Sequence, residues 1–160
     1  MTAKDCFKEL AYMQSCIGAK KQRLAALRAL ASSAGASNLN GMPGSPEKQR
    51  SSVEITVCKT VDLEAEIQAN EALLQEKNVF LLELIGTIDS SELQTVLIKR
   101  YFEHLSWDDI AGSMYCTTRW VYKLHGRALE EMSKKLNKSG YFQKLFSRVQ
   151  LSSLEDTMGI

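Results

Sequence analysis

The chain has 160 residues, of which 44% are hydrophobic, and its 20 Lys and Arg against 19 Asp and Glu give a formal net charge of +1. This apolar content is sufficient for a buried core, which excludes a chain that is disordered throughout. The length allows one ordinary domain or two small ones. Only two prolines, few aromatic residues and no sustained alternation of β-branched with polar residues predict an all-α fold.

The composition also indicates where the protein is located and which sites it lacks. The N-terminus has no continuous apolar segment, and the longest apolar run, residues 79–85 with Glu83 as an interruption, is too short to span a bilayer. We therefore expect a cytoplasmic protein with no membrane partner. Its four cysteines form no CxxC pair and no cluster with histidine, so no metal site, no disulfide framework and no cofactor are expected.

The first predicted element is a long helix over residues 2–33. Apolar or small residues recur along it in steps of four and three, with Lys20 as the one polar interruption. The positions are Cys6, Leu10, Met13, Ile17, Leu24, Leu27 and Ala31. This spacing is typical of a coiled-coil seam. A helix of this length extends about 48 Å and needs a long partner.

A second long helix over residues 53–88 is the predicted partner. The intervening residues 34–52, rich in Ser, Gly, Asn and Pro, predict a flexible loop. The second helix has its own seam, at Thr56, Thr60, Leu63, Ile67, Asn70, Leu74, Lys77, Leu81, Leu84 and Ile88. Residues 1–34 carry six cations and two acids, and residues 53–92 carry two cations and nine acids. Opposite charges favour an antiparallel coiled-coil hairpin over residues 1–89, although the loop equally permits pairing between chains.

Residues 90–137 are predicted to form a helix-turn-helix unit. Asp89 and Ser90 are candidate caps for a support helix that ends near residue 102. Ser106 is a candidate N-cap for a short helix from Trp107, and Thr117 and Thr118 offer a second cap for a helix over residues 118–136. The apolar residues of these two helices lie at the positions that must be in contact when two helices cross at a steep angle. They are Ile110, Ala111, Met114, Cys116, Val121 and Leu124.

The turn of this unit departs from the common pattern in one position. Many such motifs place glycine there because the backbone is left-handed, whereas this chain has Tyr115. A tyrosine adopts that conformation only at some steric cost.

The residues of this unit that do not face the core are candidate DNA contacts. They are Thr117, Thr118, Arg119, Tyr122, Lys123 and Arg127. Such side chains contact phosphates and base edges. Residues 97–148 hold ten cations and five acids, a net charge of +5, so positive charge is concentrated in the segment that would meet a polyanion. His125 fits two roles, a phosphate donor or a partly buried histidine bonded to a backbone carbonyl.

Residues 138–160 are predicted to form a short C-terminal amphipathic helix followed by a frayed tail. Gly140 breaks the preceding helix, and apolar residues then recur at Tyr141, Phe142, Leu145, Phe146 and Val149. This helix would pack against its own chain or form a dimer contact.

The stretch LIKRYFEHLSWDDIAGSMYCTTRWVYKLHGRALEEM, residues 97–132, resembles the sigma-like helix-turn-helix of small phage transcription regulators in Gram-positive hosts, the ArpU and RinA types of late-gene activator. The shared residues end the support helix and recur through the two helices that follow it. They are Arg100, Tyr101, Ser106, Trp107, Ile110, Ala111, Val121, Tyr122, Leu124, His125, Ala128 and Leu129. The resemblance spans roughly residues 1–137 and is specific over residues 97–136. It implies that the protein binds promoter DNA, as the fourth region of sigma factors does. It leaves open a contact with host RNA polymerase.

The favoured function is therefore a sequence-specific, DNA-binding transcription regulator that binds double-stranded DNA as a homodimer. The sequence contains no catalytic constellation and no phosphate-binding glycine loop, so an enzyme is not expected. Two alternatives stay open. One is a coiled-coil interaction or assembly protein, and the other is a DNA-packaging protein similar to a small terminase.

Overall fold

A computed structural model describes residues 1–36, 46–141 and 144–146 of the chain. These residues form helices and contain no strand, so the predicted all-α class is confirmed. The helices are α1 (Ala3–Ala36), α2 (Pro46–Gly86), α3 (Ser91–Tyr101), α4 (Trp107–Ser113) and α5 (Thr118–Lys138). None of the described helices has the length and apolar character needed to cross a membrane.

The two long helices extend into both ends of the predicted loop. α1 continues to Ala36 and α2 already begins at Pro46, so the loop boundaries of 34 and 52 are corrected, and residues 37–45 lie outside the described residues. Proline is well suited to a first helical position, where its missing N–H has no helical partner to lose. Glu47, Lys48 and Gln49, which follow it, have high helix propensity and extend the helix further than the serines suggest.

The chain forms two compact units whose boundaries differ from those predicted. The head unit comprises Met1–Leu10 and Glu76–Ile160, and the helical-pair unit comprises Ala11–Gln75. The first residues of α1 and the last of α2 thus belong with α3, α4 and α5. The prediction placed them all in a hairpin over residues 1–89.

In the helical-pair unit, α1 and α2 of the same chain run antiparallel. Lys21 pairs with Glu71, and Arg28, further along α1, pairs with Glu64, earlier on α2. Between the helices lies an apolar core of Ile17, Leu24, Leu63 and Ile67, with Leu27 and Leu74 packed against it. These are positions of the two predicted seams. Exposed ion pairs contribute at most about 1 kcal/mol each, so the buried seam supplies most of the stability of this unit.

Lys20 occupies its seam position without being buried. Its ammonium group pairs with the carboxylate of Glu66 at the edge of the seam. A lysine can lay its methylene stem along apolar neighbours while its charge stays near water. This accounts for the one polar residue in the seam of α1.

The core of the head unit is built mainly from one face of α5 and the helices around it. α5 buries Val121, Leu124, Ala128, Met132 and Leu136, in steps of three and four that keep them on one side. Helices α3 and α4 both pack on α5. They contribute Leu93, Val96, Leu97, Ile110 and Ala111, the last turns of α2 add Leu81 and Ile85, and Ile88 follows the end of α2. The opposite side of α5 is left exposed.

Capping side chains fix where α4 and α5 begin. The Ser106 hydroxyl accepts a hydrogen bond from the Asp109 N–H at 3.2 Å and donates to the Asp109 carboxylate at 2.5 Å. The Thr117 hydroxyl accepts from the Trp120 N–H at 3.3 Å. Both predicted helix starts are confirmed. Ser90 stands at the N-cap of α3, where its side chain makes no capping bond.

The turn between α4 and α5 has the left-handed residue that the sequence predicts. Tyr115 has a φ of 52°, and its side chain is 98% exposed. The N–H groups on either side close the helix end, with Met114 donating to the Ile110 carbonyl at 3.0 Å and Cys116 to the Ala111 carbonyl at 3.1 Å. A tyrosine in this conformation costs about 1 kcal/mol relative to glycine.

The C-terminal segment is described only in part. Gly140, Tyr141 and residues 144–146 are helical, and Leu145 and Phe146 are buried as the amphipathic pattern predicts. The other residues of the predicted C-terminal helix and tail, 142–143 and 147–160, lie outside the described residues.

Candidate functional site

The exposed face of α5 carries the cations that the sequence singles out. Arg119, Lys123 and Arg127 are all exposed and are spaced four residues apart, so they form a stripe along one side of the helix. None of the three forms an ion pair with any residue in the described part of the chain. Their charge is therefore available to an external partner.

Most charged side chains in the second half of α5 have a partner within the chain. Lys134 forms ion pairs with Glu130 at 3.1 Å and with Glu131 at 3.4 Å. The Lys135 ammonium donates to the backbone carbonyl of Thr87. Unpaired positive charge is thus concentrated in the first ten residues of the helix.

The two threonines of the predicted site have partners within the chain. Thr117 caps α5, and the Thr118 hydroxyl donates to the Asp108 carboxylate at 2.9 Å. Thr117 is exposed and Thr118 half-buried. Thr117 thus fixes the start of α5, and Thr118 ties it to α4. A contact of either with DNA stays a prediction.

Tyr122 is held from behind by Trp107. Their ring centroids are 4.9 Å apart, while the guanidinium of Arg100 lies 4.3 Å from the centroid of the Trp107 ring on α4. Arg100 also donates to the Leu105 carbonyl at 2.9 Å, which ties α3 to the start of α4. Trp107 is thus a packing residue. Tyr122 keeps 52% of its surface exposed on the same face as the cation stripe.

His125 has a partner that neither sequence interpretation named. Its Nε2 lies 2.9 Å from the Tyr101 hydroxyl, at hydrogen-bond distance, and its ring is 4.8 Å from that of Trp107. Burial lowers the pKa of His125 below its ordinary value of 6.5, and the positive charges of Arg100 and Lys4 lower it further. The histidine is therefore neutral near pH 7 and belongs to the support of the α5 face.

The lowered pKa of His125 predicts a specific pH dependence of stability. The unfolded chain, with the ordinary pKa of 6.5, binds a proton more readily than the folded protein. The contribution of His125 is therefore fully present above about pH 6.5 and is lost as the pH falls through that value towards the lower folded pKa. We expect urea denaturation between about pH 7 and pH 5 to show a smaller loss of stability in His125→Gln than in the wild type.

The other histidine provides the control for this pH series. His104 is exposed and has a φ of 55°, a conformation that asparagine tolerates. His104→Asn should keep the wild-type pH dependence. An identical pH dependence of the wild type and His125→Gln would contradict the role given to His125.

Trp120 is a surface residue that the sequence interpretation missed. It lies in the first turn of α5, is 43% exposed, and its indole makes no hydrogen bond or ring contact with any described residue. Trp120 directly precedes the buried Val121 and therefore lies off the core face of α5. The spacing of the apolar residues in the sequence already indicates this position. Tryptophan is usually largely buried, which favours the opposite expectation.

The start of α1 is a second feature that the sequence did not predict. The Phe7 ring stacks on Tyr101 of α3, with centroids 3.7 Å apart and planes within 3° of parallel. The Ala3 N–H donates to the Ser133 hydroxyl of α5 at 3.0 Å. Phe7, Tyr101, His125, Trp107 and Tyr122 thus form a continuous series of contacting rings, from α1 to the exposed face of α5.

Comparison of the chain with protein-family models, with curated proteins and with solved structures gave no match. Within the described ranges, no group of three or more His, Cys, Asp or Glu side chains could hold a metal ion. The exposed face of α5 is the feature from which a function can be inferred.

Proposed function

We propose that the protein is a sequence-specific, DNA-binding transcription regulator in which α4 and α5 act as a helix-turn-helix and α5 enters the major groove. The stripe of Arg119, Lys123 and Arg127 supports this proposal most directly, because these three exposed cations have no ion-pair partner in the described chain. Unpaired cations on one side of a capped, well-supported helix suit a polyanionic ligand.

The dimensions of the stripe suit a duplex. At 1.5 Å per residue, the eight residue steps from Arg119 to Arg127 span about 12 Å, close to the width of the major groove of about 12 Å. An arginine near the N-terminus of such a helix can donate two hydrogen bonds to guanine O6 and N7. Lys123 and Arg127 would then lie within reach of phosphates.

The surrounding charge would guide the approach to DNA. Residues 97–148 have a net charge of +5, whereas the whole chain has +1. Such an asymmetric charge distribution raises the association rate with a polyanion and orients the basic side towards it.

The resemblance to late-gene activators of Gram-positive phages extends the proposal to promoter DNA in the host cytoplasm. Host RNA polymerase is then a further partner, contacted while the regulator is bound. The residues that carry this resemblance include Arg100, Trp107, Tyr122 and His125, of which Trp107 contacts the other three.

Substitution of Arg119 tests the proposed face of α5. We expect Arg119→Ala to weaken binding to a duplex selected from random DNA by about 1–3 kcal/mol, measured by fluorescence anisotropy. Lys123→Ala should weaken binding to all duplexes alike. It should also reduce the slope of the logarithm of the association constant against that of the salt concentration by about one, because one phosphate contact is lost.

Lys134→Ala is the matched control, because Lys134 lies on the same helix but is paired with Glu130 and Glu131. It should change the affinity little. Unchanged affinity in both Arg119→Ala and Lys123→Ala would remove α5 from the DNA contact.

We further propose that the protein binds DNA as a homodimer. A single helix-turn-helix makes few contacts, and a linked second copy can raise the overall affinity about 100-fold or more. The two half-sites would lie about 34 Å apart or at a multiple of this distance. Light scattering of the complex should give the mass of the duplex plus twice the chain mass of 17.9 kDa. A 17.9 kDa species in free solution, together with a complex that holds one chain per duplex, would contradict the dimer.

A further inference from the structure

Trp120 has the position and surroundings of a base-reading side chain. It is 43% exposed in the first turn of α5, while its neighbour Val121 is fully buried and anchors that turn to the core. The Trp120 backbone N–H is held by the Thr117 cap at 3.3 Å. The indole thus projects from a fixed backbone, and no described residue bonds to it or stacks on it.

The residues around Trp120 indicate what kind of surface it meets. Arg119 precedes it, and Lys123 and Arg127 follow it by three and seven residues on the same side of α5. An apolar protein partner would leave these unpaired cations without counter-charges, and charged residues are depleted at the centres of protein interfaces. The major groove offers phosphates and base edges to these cations, and base edges to a side chain beside them.

One group in the major groove matches a large apolar ring. The 5-methyl group of thymine is the apolar feature of the major-groove base edges, and apolar side chains contact it. We propose that Trp120 is a specificity-determining residue that packs its indole against the 5-methyl group of a thymine. This inference rests on the proposed function and adds to it that the target site contains a thymine that Trp120 reads.

The test uses duplexes in which single thymines are replaced by uracil, which lacks only the 5-methyl group. A site is first selected from a random duplex library with the wild-type protein. Each thymine of that site is then replaced by deoxyuridine in turn, and affinities are measured for the wild type, Trp120→Ala and Trp120→Phe. Tyr12→Ala controls for the loss of an exposed aromatic ring, since Tyr12 is 70% exposed on α1 in the helical-pair unit.

We expect Trp120→Ala to lose about tenfold in affinity for the selected site and little for an unrelated duplex. One thymine-to-uracil change should weaken the wild type and Trp120→Phe, which keeps an apolar ring, but leave Trp120→Ala unaffected. Tyr12→Ala should behave as the wild type.

Two outcomes would overturn the inference while the proposed function stands. In the first, the wild type selects a site but Trp120→Ala binds it equally well. In the second, every uracil duplex affects the wild type and Trp120→Ala alike, so Trp120 does not read the methyl group. Failure of the wild type to enrich any sequence would overturn the proposed function together with the inference.

Discussion

Phe7→Ala is expected to lower the free energy of unfolding of the head unit by about 3–5 kcal/mol. The Phe7 ring is 4% exposed, stacks on Tyr101 at 3.7 Å and meets the edge of Phe102 at 6.3 Å. Its removal leaves a cavity and frees Tyr101, which bonds to His125 beneath the exposed face of α5. Urea denaturation followed by tryptophan fluorescence measures the effect, because Trp107 and Trp120 both lie in the head unit.

Phe7→Leu gives the matched comparison for this measurement. Leucine keeps much of the buried apolar volume while removing the aromatic stack, so we expect a smaller loss than with alanine. A loss below about 1 kcal/mol in Phe7→Ala would show that α1 does not contribute to the core of the head unit.

Glu9→Leu is expected to cost about 3–5 kcal/mol, because it leaves Lys77 as an unpaired buried charge. The Lys77 side chain is fully buried, and its ammonium pairs with the Glu9 carboxylate. The same ammonium lies 4.4 Å from the centroid of the Phe146 ring, which supplies only part of the lost stabilisation. Thermal denaturation of the full chain checks the expected loss.

The double variant Glu9→Leu with Lys77→Met separates the charge from the packing. A buried ion pair can often be replaced by apolar residues of similar size at little cost, so the double variant should recover most of the stability lost by Glu9→Leu. Simple addition of the two single losses in the double variant would show that the pair is not energetically coupled.

Local sequence signals predicted the starts of α4 and α5 because the groups involved lie within three residues of each other. Ser106 with Asp109 and Thr117 with Trp120 form their capping bonds within one turn. Tyr115 likewise adopts the left-handed backbone that its place in the turn requires. Such features depend on chain geometry that a sequence shows directly.

The heptad spacing predicts which positions are buried but not which residues contact them. Lys77 was recognised as a polar residue in the seam of α2, and the structure buries it fully. Its partners Glu9 and Phe146 are each more than 60 residues away along the chain. Spacing within one helix carries no information on such distant contacts.

Distant contacts also determine the boundaries of the two units and the packing beneath the exposed face of α5, so neither could be predicted from the spacing within one helix. Nothing in the sequence distinguishes Phe7, which lies next to the seam position Cys6. Its stacking on Tyr101 is evident only from the fold. The sequence offers His125 two roles, a phosphate donor or a histidine bonded to a backbone carbonyl, whereas its partner is the Tyr101 hydroxyl on α3. The exposed cations of α5 needed no such information, because they are the residues that remain once the core face is removed.

The salt dependence of duplex binding tests the central claim most directly. The full-length wild type is titrated with a fluorescent DNA duplex at salt concentrations from about 50 to 200 mM, and the logarithm of the association constant is plotted against that of the salt concentration. If Lys123 and Arg127 neutralise two phosphates, the slope should be about −1.8 per protein chain or steeper. An absence of duplex binding at the lowest salt, or an affinity independent of salt, would contradict a DNA-binding role and favour an interaction or assembly protein.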